Sequence, residues 1–184
     1  MKTKILAIAG SLRSASLSRA LVREAIELAP EGVTILTYEL ADIPLYNGDV
    51  DVDGGPEAVR RFKEAIGSAD GLLIATPEYN YGIPGVLKNA IDWASRPGFK
   101  SVLARKPVAV MGVANGTAGA ARALGQLKQV LLATLSLLYP APELTLGSAS
   151  SKFAEGRLTD DKDRQKLARL LGEFSSFIDQ TRPR

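Results

Sequence analysis

The chain has 184 residues, 46% of them hydrophobic and 23% charged, with a formal net charge of +3, the balance of one globular domain with a sizeable core. It contains neither cysteine nor histidine, which excludes disulfides, thiolate nucleophiles, zinc–thiolate sites, a Ser-His-Asp triad and the usual general base near neutral pH. No apolar run approaches the roughly 18 residues of a membrane span, no signal-peptide core precedes the first strand, and no basic–aromatic stripe points to nucleic acid. A cytoplasmic protein is therefore expected, with any chemistry resting on a cofactor or on carboxylate, Tyr, Lys and Arg groups.

Residues 4–9 are a short apolar run, enough for a strand buried on both faces. Gly10 breaks it, and Ser11, Arg13, Ser14, Ser16 and Ser18 follow. Leu17, Leu21, Ala25 and Leu28 then recur with helical spacing, which predicts a helix over 16–29 closed by Pro30 and Gly32. The β-branched run 33–40 is a second strand. Residues 41–55 form a long acidic connection whose spacing does not match an EF-hand loop. Pro56 opens a second helix that Gly67 closes, and 69–76 is a third buried strand. The loop 77–85 follows, then a helix over 86–94, a strand over 107–113, the Gly-rich loop 114–119 and a helix over 120–137. A short strand at 143–146 and an amphipathic helix at 160–180, with Leu167, Leu170, Leu171 and Phe174 on one side, complete the chain.

Five alternations of buried strand and helix predict a parallel sheet covered on both faces. The length favours a single flavodoxin-like domain over 1–184, with strand order 2-1-3-4-5. Ligands of such sheets sit beyond the carboxyl ends of the strands, at the switch point between strands one and three. The loops after strands one, three and four therefore converge.

The first of these loops leads from a strand into a helix N-terminus, where free N–H groups and the positive end of the helix dipole meet. Four hydroxyls and the Arg13 guanidinium add donors, a set that a phosphate dianion uses in full; ordinary helix capping is the competing reading. There is no Gly-Lys-Ser/Thr and no Gly-x-Gly-x-x-Gly, so neither a P-loop nor a dinucleotide fingerprint is present. In the second loop, Pro77 and Pro84 fix the backbone while Gly82 and Gly85 permit close approach. That suits a planar heterocycle flanked by Tyr79 or Tyr81, and packing of the tyrosines in a core or subunit contact is the alternative. Glu78 is read as an anchor bonding neighbouring N–H groups in preference to a general base. In the third loop, Asn115 and Thr117 offer hydrogen bonds, and Gly116 and Gly119 let a ring approach.

Taken together, Gly10-Ser11-Leu12-Arg13-Ser14-x-Ser16, Thr76-Pro77-Glu78-Tyr79-Asn80 and Gly82-x-Pro84-Gly85-x-Leu87-Lys88-Asn89-Ala90-Ile91-Asp92-Trp93 resemble the NADPH-dependent FMN reductase family, which includes quinone, chromate and azo-dye reductases. The resemblance covers nearly the whole chain. It implies an FMN-dependent oxidoreductase that takes a hydride from NADPH or NADH and passes electrons, in ping-pong turns, to a quinone, chromate, azo dye, nitroaromatic or free flavin. By position, Ser11, Arg13, Ser16 and Ser18, with the Leu17 backbone, would hold the FMN phosphate. Pro77, Glu78, Tyr79, Asn80, Tyr81 and Gly82 would line the isoalloxazine, and Asn115, Gly116 and Thr117 would close the far side. Arg13 is also placed to meet the nicotinamide cofactor's phosphates. Relatives often carry Asn where this chain has Ser18. The family also implies a homodimer or homotetramer, with Leu87 and Trp93 between chains, packing in the subunit's own core being the alternative; Leu131, Leu132, Leu135 and Leu138 on the fourth helix would suit the same purpose. The competing functions are a flavodoxin-type electron carrier and a non-flavin sensor of a phosphorylated ligand.

Overall fold

The alternation read from the sequence becomes a parallel sheet, seen in a computed structural model that describes residues 2–140 and 142–182. Its strands are β1 (Thr3–Ala9), β2 (Val33–Tyr38), β3 (Gly71–Thr76) and β4 (Pro107–Val113), paired in the order β2-β1-β3-β4. The fifth position is shared by two short segments. β5 (Leu137–Leu138) pairs with Pro107 and Val108, and β6 (Leu144–Leu146) pairs with Met111 to Val113, all parallel. The expected order 2-1-3-4-5 is therefore present.

Strand alternation sorts the core into two layers. Leu6, Ile8, Leu72, Ile74, Val108 and Val110 face α2 (Glu57–Gly67), α3 (Gly85–Ala94) and α4 (Ala121–Ala133). Ile5, Ala7, Leu73, Ala75, Ala109 and Met111 face α1 (Leu17–Glu27) and α5 (Asp161–Thr181). β3 and β4 are buried at every position, as expected for central strands covered on both sides.

Three expectations are corrected. The fourth helix ends at Ala133, not at 137. Leu135 takes a left-handed conformation (φ 62°), which turns the chain so that Leu137 and Leu138 enter the sheet. Leu138 accordingly lies on β5, and Leu131 is fully buried in the core; only Leu132 and Leu135 of the four leucines are exposed. Leu87 and Trp93 are not surface groups awaiting another chain, because both are buried within the subunit. The Trp93 indole N–H donates to the Pro44 carbonyl at 2.8 Å, to which Asn89 also donates, and the Asn89 side-chain oxygen accepts from the Tyr46 N–H at 2.7 Å. These motif residues pin the long 41–55 connection onto α3.

A small antiparallel hairpin, β7 (Phe153–Ala154) and β8 (Arg157–Leu158), lies between β6 and α5, where the sequence predicts no element. It is tied to α1 and α5 through the buried Glu24, whose carboxylate accepts from Arg157 and Arg164. Asp163 is likewise buried. Burial pushes its carboxyl up, but hydrogen bonds and charge from Lys152 and Lys166 outweigh that and hold it below the usual range. No helix among the described residues is long and apolar enough to cross a membrane.

Candidate active site

The switch point lies between β1 and β3, where the connections out of the two strands run to opposite sides of the sheet. Gly10, just past β1, donates its N–H to the Ala75 carbonyl at 2.8 Å. A Cβ there would sit 3.0 Å from a Leu87 methyl and 3.3 Å from the Thr76 hydroxyl, so only glycine lets the strand end turn this close to its neighbour. The loops after β1, β3 and β4 then surround one cleft of about 360 Å³, in the range of a small-molecule or cofactor site.

Ser11, Arg13, Ser16 and Leu17 line one end of it. Ser16 is the N-cap of α1, its hydroxyl accepting from the Arg19 N–H at 3.4 Å, so capping and cleft lining coexist in one residue. Ser18 lies behind. It is wholly buried, and its hydroxyl is hydrogen-bonded to that of Ser16 at 2.8 Å; it supports the cleft wall without forming it. First-turn N–H groups of α1 lack intrahelical acceptors and carry the positive end of the helix dipole, so this end of the cleft is rich in donors and electropositive.

Pro77, Glu78 and Tyr79 form the second wall. The Tyr79 hydroxyl meets the Ser11 hydroxyl at 3.0 Å and joins the two loops. Asn80 and Tyr81 occupy the centre of a two-residue turn, closed by reciprocal 3.0 Å hydrogen bonds between the Tyr79 and Gly82 backbones. Both have positive φ, 50° and 66°, as a type I′ turn demands; Asn tolerates this well and Tyr poorly. The turn projects outward, so Asn80, Tyr81 and Gly82 are not on the cleft wall. Contacts from α4 hold it. The Arg122 guanidinium stacks 4.3 Å from the Tyr81 ring centre, and Gln126 accepts from the Ile83 N–H at 2.7 Å.

Glu78 makes the same connection from inside. Its carboxylate accepts from the Arg122 N–H at 3.1 Å, the Ala123 N–H at 3.2 Å and the Arg122 guanidinium at 2.7 Å. It thus caps α4 from another loop, where the helix's own N-cap residue is Ala120 with no side-chain acceptor. Burial raises the Glu78 pKa, but the Ala123 N–H and Arg122 outweigh it and hold the group below its ordinary value. A carboxylate with that environment is an anchor, not a base poised near neutrality.

Asn115, with Val113 and Ala114, closes the far side. Gly116 and Thr117 turn away from the cleft toward the next loop. The Gly116 carbonyl accepts from the Ser148 N–H at 3.2 Å, and a Cβ on Gly147 would lie 2.2 Å from the Thr117 carbonyl oxygen. Ala15 and Ser150 also line the cleft and were not singled out from the sequence. Ala15 carries no polar side chain to notice, and Ser150 arrives from a loop remote in sequence.

A parallel α/β sheet with a cleft at its switch point, an anion end of hydroxyls and helix N–H groups, and a flat wall of Pro77, Tyr79 and backbone define a mononucleotide-binding protein of the flavodoxin-like type. Comparison with known proteins makes the class specific: residues 3–151 match the model of the NADPH-dependent FMN reductase family, and the chain belongs to that family. It is 46% identical over 180 residues to an NAD(P)H-dependent FMN reductase of Pseudomonas aeruginosa, covering 97% of both chains. It is 39% identical over 171 residues to a quinone reductase of Pseudomonas putida, covering 93% of this chain and 92% of that one. Among solved structures, it is similar to FerB, a flavoenzyme NAD(P)H:(acceptor) oxidoreductase of Paracoccus denitrificans. The TM-score is 0.89 at 35% identity, over 97% of this chain and 98% of the other.

Proposed function

We propose that this protein is an NAD(P)H-dependent FMN and quinone reductase whose FMN lies in the cleft between the β1, β3 and β4 loops. The observation that carries the reading is the pairing, in one cleft, of an anion end with a flat wall, the two joined by the Ser11–Tyr79 hydroxyl contact. The donor set fits the group. Ser11, Ser16, Arg13 and the N–H groups at the start of α1 supply charge-assisted and neutral donors for a phosphate. Pro77, Tyr79 and Asn115 border the space for a planar ring.

When bound, FMN supplies the relay that accepts a hydride from a nicotinamide and delivers electrons to a small-molecule acceptor. The chain's residues do the positioning. Arg13 and α1 fix the phosphate end. Glu78 stays ionised while it holds α4, and so keeps the 77–85 loop in place. Tyr79 presents an exposed ring beside the cleft. No protein base or metal is required, which agrees with a chain that has no histidine or cysteine. An open mouth serves donor and acceptor in turn, so ping-pong kinetics are the expected pattern.

We also read the protein as a cytoplasmic homodimer or homotetramer, supported by the exposed Leu132 and Leu135 at the end of α4. The functional test is initial-rate kinetics with FMN-loaded protein, varying NADPH or NADH against benzoquinone. Parallel double-reciprocal lines are expected. Quinone-independent silence, with no oxidation of either nicotinamide, would replace the reductase by an electron carrier.

A further inference from the structure

An anion-binding loop has a constraint that its ligand contacts do not reveal. For its N–H groups to face the anion, its carbonyls must face away, and each needs a partner there or water. In this chain the Ser11 carbonyl is met by Arg19, whose Nε donates to it at 3.2 Å. Arg19 sits in the first turn of α1, and its guanidinium is held from the other side by an ion pair with Glu39, just beyond β2. The Arg19 side chain is about three-quarters buried and lines a separate recess of about 190 Å³ between β1, β2 and α1. It therefore stands behind the loop and not in the cleft.

We propose that Arg19, oriented by Glu39, is a positioning residue for the phosphate end of the cleft. It fixes the direction of the Ser11 peptide and, through it, the placement of the Ser11 hydroxyl and the Arg13 N–H, which donates to that hydroxyl at 3.4 Å. The surface ion pair itself contributes little free energy. Its value is directional, since a planar guanidinium with two fixed donor edges sets the angle between the loop and β2. This inference rests on the reading that the serine loop receives the FMN phosphate.

The test compares FMN with riboflavin, which has the same ring and ribityl chain but no phosphate, by fluorescence titration of wild type, Arg19→Met and Glu39→Gln. Wild type should prefer FMN. Arg19→Met should raise the Kd for FMN about fivefold or more, the scale of a carbonyl left without its donor, while moving riboflavin by less than about twofold. Glu39→Gln, an exposed position that leaves the fold undisturbed, should move the same ratio in the same direction by about two- to threefold. Equal weakening of both ligands would assign Arg19 a merely structural role, and no change in the FMN-to-riboflavin ratio in either variant would remove it from the phosphate end. Both outcomes overturn the inference while leaving the cleft assignment intact. A wild type that binds riboflavin as tightly as FMN would overturn the cleft's phosphate end and the inference with it.

Discussion

Replacing Glu78 by glutamine separates an anchoring carboxylate from a catalytic one. Glutamine keeps the length and one acceptor oxygen but removes the charge that faces the α4 N-terminus and Arg122. The charge–dipole contribution at a helix start is about 0.3–1 kcal/mol, and the ion pair, half-exposed on the arginine side, adds about 0.2–1 kcal/mol. Glu78→Gln should therefore cost about 0.5–2 kcal/mol. Glu78→Ala, which also removes the cap of two N–H groups, should cost about 1–3 kcal/mol. Both follow from urea titration at pH 7. The folded pKa of Glu78 lies below its ordinary 4.5, so this stabilisation is fully present above pH 4.5 and is lost as pH falls through the folded value. The difference between wild type and Glu78→Gln should shrink over that acid range. Turnover of FMN-loaded Glu78→Gln should stay within about threefold of wild type from pH 6 to 8, because no proton leaves Glu78 there. A rate loss of about a hundredfold or more, the size of a missing general acid or base, would refute the anchoring argument, as would an acid limb near neutrality that disappears with the mutation.

Arg13→Ala should weaken FMN binding by about 1.5–3 kcal/mol, the worth of a charge-assisted contact, in fluorescence titration. Glu24→Ala strips the buried carboxylate from between Arg157 and Arg164, whose side chains reach solvent, and should cost about 1–3 kcal/mol in chemical denaturation. Gly147→Ala forces a methyl against the Thr117 carbonyl and should cost about 1–3 kcal/mol, with FMN affinity falling as the third loop shifts. Light scattering across micromolar concentrations should give a dimer or tetramer that Leu132→Asp weakens; a monomer throughout would remove the oligomer reading.

The strands at 4–9, 69–76 and 107–113 were legible because a central parallel strand is apolar at nearly every position, and no helix of that length reads the same way between Gly and turn residues. The polar end of the cleft was legible in part: Ser11, Arg13 and Ser16 do line it, while Ser18, of the same run, is buried behind the wall. Glu78 as an anchor was also readable, but its partner was not: Ala120 gives no sign that α4 lacks a cap of its own. The end of α4 was obscured by its leucines. Leu131, Leu132, Leu135, Leu137 and Leu138 continue an apolar pattern across a helix end, a left-handed Leu135 and a strand, with no Gly or Pro to mark the change. The turn at Asn80–Tyr81 escaped for the opposite reason. Tyrosine disfavours positive φ, so it signals nothing about a type I′ turn, and only the stacking of Arg122 and the grip of Gln126 make that turn affordable. For Leu87 and Trp93 the structure selects the core over the subunit contact, a choice the sequence leaves open because a buried apolar side chain reads alike in both; the Pro44 carbonyl that receives the indole N–H lies on a connection with no periodicity to announce it.

The central claim, that the cleft at the β1–β3 switch point holds FMN against a hydride donor, is tested most directly by the absorbance spectrum of the protein reconstituted with FMN and desalted, before and after anaerobic NADPH. Flavin bands retained near ~450 nm and bleached by NADPH are the expected result. Protein that emerges colourless from reconstitution, or retained flavin that NADPH leaves oxidised, would contradict it.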